Sequence, residues 1–297
     1  VVRHFVESGL VRGERRERFD AAVASALRWR NSVLVELAMI LVVYAVIVPF
    51  VWRDQVAIKI NVDSWYATVV GGHLQPSLAG YWMGFVGMPV FVFLVMRWGF
   101  RQLLWTRFLW HLARLDLALE PNHPDGTAGL HFISLTERAY RPVLLAMGTV
   151  LSGMIANRIF QTGAQLADFK VEIVGMVGVL MLVILGPMFV FVPDLLDARR
   201  RGLAAYAALG QRYAREFRQK WMRPGQDPGE PLIGSADIQS LADLRNGYEG
   251  VAGIRFVPFD LRNVLALGAA TLLPLAPLLL TTFSLDELLD RVLKVLF

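Results

Sequence analysis

Five apolar runs, each long enough to cross the hydrocarbon of a bilayer, constrain this chain more than any other feature. They are Val33 to Trp52, Ser77 to Met96, Pro142 to Phe160, Val171 to Val192 and Leu261 to Phe283. An apolar helix needs about 20 residues to span a membrane. Backbone N–H and C=O groups in lipid must bond within the protein, and a helix does this inside a single segment. The chain therefore reads as an all-α integral membrane protein with about five transmembrane helices. Its 55% of hydrophobic residues and mean hydropathy of +0.47 agree. The fourth run is the cleanest, with Glu172 at its edge. The third is the least regular, because Asn157 and Arg158 fall inside it.

Lys and Arg orient the runs. Seven lie in residues 1–32, six in 97–141 and ten in 194–260, against five in the three segments on the other side. Positive charge collects on the cytoplasmic side of a membrane protein, so the N-terminus is expected in the cytoplasm and the C-terminus outside. The compartment this implies is a bacterial inner membrane. Residues 1–32 are then a basic cytoplasmic segment, 33–193 a four-span region with the cytoplasmic loop 97–141, 194–260 a cytoplasmic helical segment, and 261–297 a fifth span with an outer amphipathic helix. Residues 1–32 are too charged for a secretory signal peptide. The first residue, Val1, reads as a start that is missing or processed.

The net charge is +5 and the pI about 9.7. In this arrangement the basic residues set topology and meet anionic lipid, and no nucleic-acid partner is expected. The chain has no cysteine, which excludes disulfides, thiolate metal sites and thiol catalysis. The middle of each run lacks Asp, Glu, Lys, Arg and His, groups that a proton- or ion-coupled transporter needs near mid-membrane. No P-loop, GxSxG, HExxH or CxxC pattern occurs.

Between the runs, residues 101–119 repeat Leu104, Phe108, Leu112, Leu115 and Leu119 at helical spacing, an amphipathic helix that continues the second span or lies on the inner membrane surface. A similar pattern from Leu203 to Trp221 extends the fourth span into the cytoplasm. Ser235 is a good N-cap for another helix, with Ile238, Leu241, Leu244, Tyr248 and Val251 as its apolar face. Ala57 to Val62 alternates as a strand would, which predicts a small extracytoplasmic hairpin or cap within residues 53–76. Leu285 to Phe297 reads as the outer amphipathic helix. Gly80 and Gly84, and the series Gly148, Ser152, Ala156, are candidate close helix contacts. Pro274 and Pro277 should bend the fifth span.

Three groups of residues could carry chemistry. The cytoplasmic loop Glu120-Pro121-Asn122-His123-Pro124-Asp125-Gly126 is followed by His131. His123, Asp125 and His131 could ligate a divalent metal or form an acid–base pair. The favoured reading is a structural turn, with Asp bonding nearby backbone and Gly at positive φ, and no cofactor. Arg199, Arg200 and Arg201 read as a stop-transfer cluster beside lipid phosphates, with a specific anion or head-group site as the alternative. Within the runs, Asn157, Arg158 and Glu36 are the polar candidates. Arg158 is expected to snorkel or to pair with Asp168 or Glu172, and Glu36 to be neutralised by Arg30 or Arg141.

HPDGTAGLHF (123–132), RFLWHLARLDLAL (107–119), GSADIQSLADL (234–244) and RFVPF (255–259) together resemble a family of uncharacterised bacterial multi-pass membrane proteins. The resemblance extends over most of the chain from the second span onward. It implies HPD followed by two variable residues and Gly-Gly-Leu, where this chain has Ala128-Gly129-Leu130. It implies a topology and brings no catalytic residue. The function expected is a membrane scaffold or accessory subunit, binding its own copies or another membrane protein. An oligomeric channel or passive pore is the alternative, and a metal-dependent membrane enzyme at the His123 loop the third.

Overall fold

The computed structural model describes residues 1–51, 67–70, 73–224, 229, 231 and 233–281. The expected strand at Ala57 to Val62 and the expected helix from Leu285 lie outside the described residues. The described chain is almost wholly helical. In order it forms α1 (His4–Glu7), α2 (Arg15–Arg30), α3 (Val33–Val42), α4 (Val48–Val51), the strands β1 (Ala67–Val70) and β2 (His73–Pro76), α5 (Leu78–Trp82) and α6 (Met88–Ala113). There follow α7 (Arg141–Thr162), α8 (Lys170–Leu185), α9 (Val192–Trp221), α10 (Ala236–Ala252) and α11 (Leu261–Leu272). The strands pair antiparallel, with Ala67 opposite Pro76.

Four helical stretches are long and apolar enough to cross a membrane: Leu78–Ala113, His131–Thr162, Leu166–Trp221 and Leu261–Thr281. A fifth is reached when Arg15–Arg30 and Val33–Val46, bent by 45° at their junction, are taken as one. The third apolar run, with its Asn157 and Arg158, is thus a continuous helix. The bend falls at the start of the first run, where Asn31 and Ser32 interrupt the chain. Large apolar side chains on these stretches face outward: Phe160 is 76% exposed, Val171 82%, Val174 70% and Leu182 69%. Such surfaces need an apolar surrounding to cover them.

The chain divides into two compact units, residues 20–108 and residues 1–19 with 109–297. Within the first, α3 and α4 are joined by a π-helical turn, Val43–Ile47, and α5 and α6 by another, Met83–Gly87. A proline follows each turn, Pro49 and Pro89, and a proline cannot donate to the carbonyl four residues before it. For Pro89 that carbonyl belongs to Phe85. The Tyr44 hydroxyl, inside the other π turn, donates to Phe85 O at 3.2 Å. Arg97 Nη2 meets Glu36 Oε1 at 2.9 Å. Glu36 is therefore paired with Arg97 on α6, and Arg30 donates instead to Asn31 Oδ1.

Within the second unit, α7 packs closely along α11. A Cβ on Gly148 would lie 2.2 Å from the Thr271 carbonyl oxygen. The series Gly148, Ser152, Ala156 therefore serves a contact inside the chain, as small residues in helix pairs do. Farther along, Ile155, Phe169, Leu275 and Leu278 close a buried cluster that Ala156 also joins. Pro274 and Pro277 do not kink an α-helix; the α-form ends at Leu272 and a 3-10 helix, Leu273–Thr281, carries both prolines.

Candidate functional site

α6 continues the second apolar run and ends at Ala113, where the chain turns through Asp116 at φ 50°. Residues 114–130 then form a compact loop on which four parts of the second unit converge. Its centre is Asp125. Asp125 Oδ1 accepts from the main-chain nitrogens of Thr127 at 2.8 Å and Gly129 at 3.1 Å. Its Oδ2 accepts from the His131 main-chain nitrogen at 3.0 Å. Burial alone would raise the Asp125 pKa, but these amide donors together favour the charged carboxylate more, and the net shift is downward. Positive φ at Gly126 (66°), Ala128 (53°) and Gly129 (94°) lets consecutive amides point inward. Ala128, where the resemblance implies glycine, adopts the left-handed conformation with its methyl fully buried.

The loop is tied outward on every side. Arg255 Nη2 donates to the Asp125 carbonyl at 2.7 Å and its main-chain nitrogen to the Gly126 carbonyl at 2.9 Å. Asn122 Nδ2 donates to the Tyr206 hydroxyl on α9 at 2.9 Å. Gly202 on α9 has room for nothing more, since a Cβ there would meet Pro121 and Val251 at 2.7 Å each. From the N-terminal segment, the Ala118 main-chain nitrogen donates to Leu10 O at 3.0 Å, Arg15 pairs with Asp116, and His4 and Phe5 stack edge-on against Phe132.

This geometry brings the side chains of His123 and Asp125 together and gives the three expected ligands different roles. Asp125 turns both oxygens to backbone amides. His123, about half exposed, places Nδ1 3.0 Å from Asp125 Oδ1. His131 contributes its main-chain nitrogen, and its Nδ1 is buried without a hydrogen-bond partner among the described residues. Among the described residues no group of three His, Asp or Glu side chains is arranged to hold a metal ion.

The arginine triplet is split by helical geometry. Arg199 is half-buried, with Nε donating to Ala252 O at 3.1 Å and its guanidinium 5.5 Å from the Phe256 ring centre. Arg200 is exposed, and Arg201 pairs with Asp197 at 2.7 Å. Arg158 is exposed and lies over the Phe169 ring at 5.8 Å, and no ion pair joins it to Asp168 or Glu172. Asp168 instead accepts from the Gln165 main-chain nitrogen in a capping box. Asn157 is exposed.

Two features escaped the sequence reading. Buried Glu137 accepts from Asn263 Nδ2 and lies 3.6 Å from Arg141 Nη2. Asn263 is held by a reciprocal capping box with Asp260 at the start of α11, and the Asp260-x-x-Asn263 spacing is the signal that would have found it. On α10, Ser235 caps the helix as expected, its Oγ accepting from Asp237 N at 3.1 Å. The contact with α9 runs through Leu244, Gly247 and Val251, with a Gly247 Cβ position 2.6 Å from Tyr206. Close approach at the small residue rotates Ile238, Leu241 and Tyr248 into exposed positions.

No protein-family model, curated protein or solved structure matches this chain.

Proposed function

We propose that the chain is a multi-pass protein of a bacterial inner membrane, with its N-terminus in the cytoplasm and its C-terminus outside. It serves as a scaffold or accessory subunit that holds a partner, another membrane protein or a second copy, against its cytoplasmic helices. The alternation of basic segments supports the orientation. The family resemblance of the HPDGTAGLHF and GSADIQSLADL segments supports the bacterial membrane setting.

One observation carries the scaffold reading. The Asp125 carboxylate accepts from three backbone amides of its own loop, and Arg255 donates to the Asp125 carbonyl, which supports an architectural role for this loop. The α9–α10 pair it braces presents Ile238, Leu241 and Tyr248 within one side of α10, exposed. A stiffly held helix pair with an uncovered apolar row is suited to receiving a partner helix.

Photo-crosslinking side chains at 238, 241 and 248 in intact cells test this. A discrete adduct from these positions, and none from exposed Asp243 on the same helix, is expected, and its mass separates self-association from a second protein. Equal labelling at all four positions overturns the scaffold reading. Reporter fusions test the topology: one after residue 297 should lie outside, and one within 225–231 inside.

A further inference from the structure

The ends of two apolar helices meet at an open cleft of about 820 Å³ in the second unit. Phe189 and Val192 close the fourth apolar run, and Leu261 opens the fifth, at the start of α11. Between them the segment Ala252–Asp260 folds across, and Phe189 and Phe259 pack edge to face at 5.9 Å. Two guanidinium groups, of Arg199 and Arg255, and one carboxylate, of Asp260, line the same cleft. Arg199 uses only its Nε, toward Ala252 O, and neither terminal nitrogen has a hydrogen-bond partner among the described residues. Arg255 keeps its Nη1 3.9 Å from Asp260 Oδ2, a loose pair. The Arg199 guanidinium also lies 5.5 Å from the Phe256 ring centre.

We infer that this cleft binds one anionic phospholipid, with the phosphodiester on Arg199 and Arg255 and the upper acyl chains on Phe189, Phe259 and Leu261. The volume falls in the range of small-molecule sites, about 300–1,000 Å³. A planar guanidinium with two unengaged nitrogens matches two phosphate oxygens, and such charge-assisted pairs are the strong ones. The apolar half of the lining excludes a free phosphate as the best occupant, since it would leave the aromatic wall wet. The position at two span ends puts the cleft at head-group depth. This last step rests on the membrane reading above. The lipid would then brace the Arg255 link to the Asp125 loop from its open side.

The test is native mass spectrometry of the full chain with phosphatidylglycerol, phosphatidylcholine or inorganic phosphate added. One phosphatidylglycerol per chain should be retained, and Arg199→Gln should weaken it by about tenfold or more, as loss of a charged bidentate contact does. Arg200→Gln, altering an exposed neighbour outside the cleft, should leave retention unchanged, and Arg199→Lys should restore part of it. Should Arg199→Gln fail to fold, Phe259→Ala supplies the second variant, lowering phosphatidylglycerol retention by removing the acyl-chain wall. Equal retention by the Arg199→Gln and Arg200→Gln variants, or equal retention of the two lipids, overturns the proposal. Displacement by stoichiometric inorganic phosphate assigns the site to a soluble anion and overturns the lipid. Flotation with vesicles tests the membrane reading separately: a chain that fails to float yet retains phosphatidylglycerol keeps the cleft and loses that reading.

Discussion

Arg255 donates to the main-chain carbonyl of Asp125 from 130 residues away, while the Asp125 carboxylate gathers the amides of its own loop. One residue thus links both levels of structure: its side chain shapes the turn, and its backbone anchors the turn to the segment between α10 and α11.

This makes the loop sensitive at Asp125 and Gly126 and tolerant at His123. Asp125→Asn removes the charge and leaves one acceptor oxygen for three amides, which should cost about 1.5–3 kcal/mol. Gly126→Val forces a β-branched residue to φ 66° and should cost about 1–2 kcal/mol or more. His123→Ala, at a half-exposed side chain, should cost less than either. Melting of the purified protein ranks the three, and a His123→Ala loss exceeding that of Gly126→Val would contradict the structural role of the turn.

Stability should fall in acid. Asp125 is shifted down because its amide donors outweigh burial, and Asp237 because Lys220 Nζ at 2.8 Å and Trp221 Nε1 at 2.9 Å donate to it. A carboxylate with a lowered folded pKa stabilises the fold above its unfolded value, about 4, and loses that contribution as pH falls through the folded value. The melting temperature should therefore be insensitive to these two groups between pH 7 and about 5, and drop below about 4. In Asp125→Asn the acid drop should be shallower, and an unchanged acid limb would refute the assignment.

Gly148 and Gly153 share α7 but should respond oppositely to alanine. At Gly148 the added Cβ meets Thr271 O at 2.2 Å, so α7 and α11 must part, at about 1–3 kcal/mol. At Gly153 nothing lies within 4 Å, and alanine should be neutral or gain up to about 1 kcal/mol of helix propensity. Detergent melting of the two variants measures both, and equal effects would disprove the intramolecular contact.

Tyr44→Phe should loosen the pair of π turns. It removes the hydroxyl that donates to Phe85 O, which Pro89 cannot serve, at about 0.6–2 kcal/mol in a membrane setting. Hydrogen exchange should rise around Met83–Gly87 while α7–α11 stays protected. A uniform rise across both units would show that the bond does not act locally.

What the sequence alone determined is local. Apolar runs mark helices because helical backbone satisfies itself within a segment, so the long stretch ending at Trp221 could be read directly, while the one expected to run to Leu119 stops at Ala113. The Ser235 cap and the positive φ at Gly126 were legible for the same reason, since a side chain and its own neighbouring backbone decide them. Partners across the fold were not. Arg97 and not Arg30 meets Glu36, Arg158 rests on Phe169 and not on Asp168, and Arg199 leaves its triplet for Phe256. A helix offers several faces with similar groups, and the choice among them belongs to packing register. That register is set where Gly148, Gly202 and Gly247 let backbones and rings approach, so only the tertiary structure could decide which charges meet and which apolar row stays uncovered.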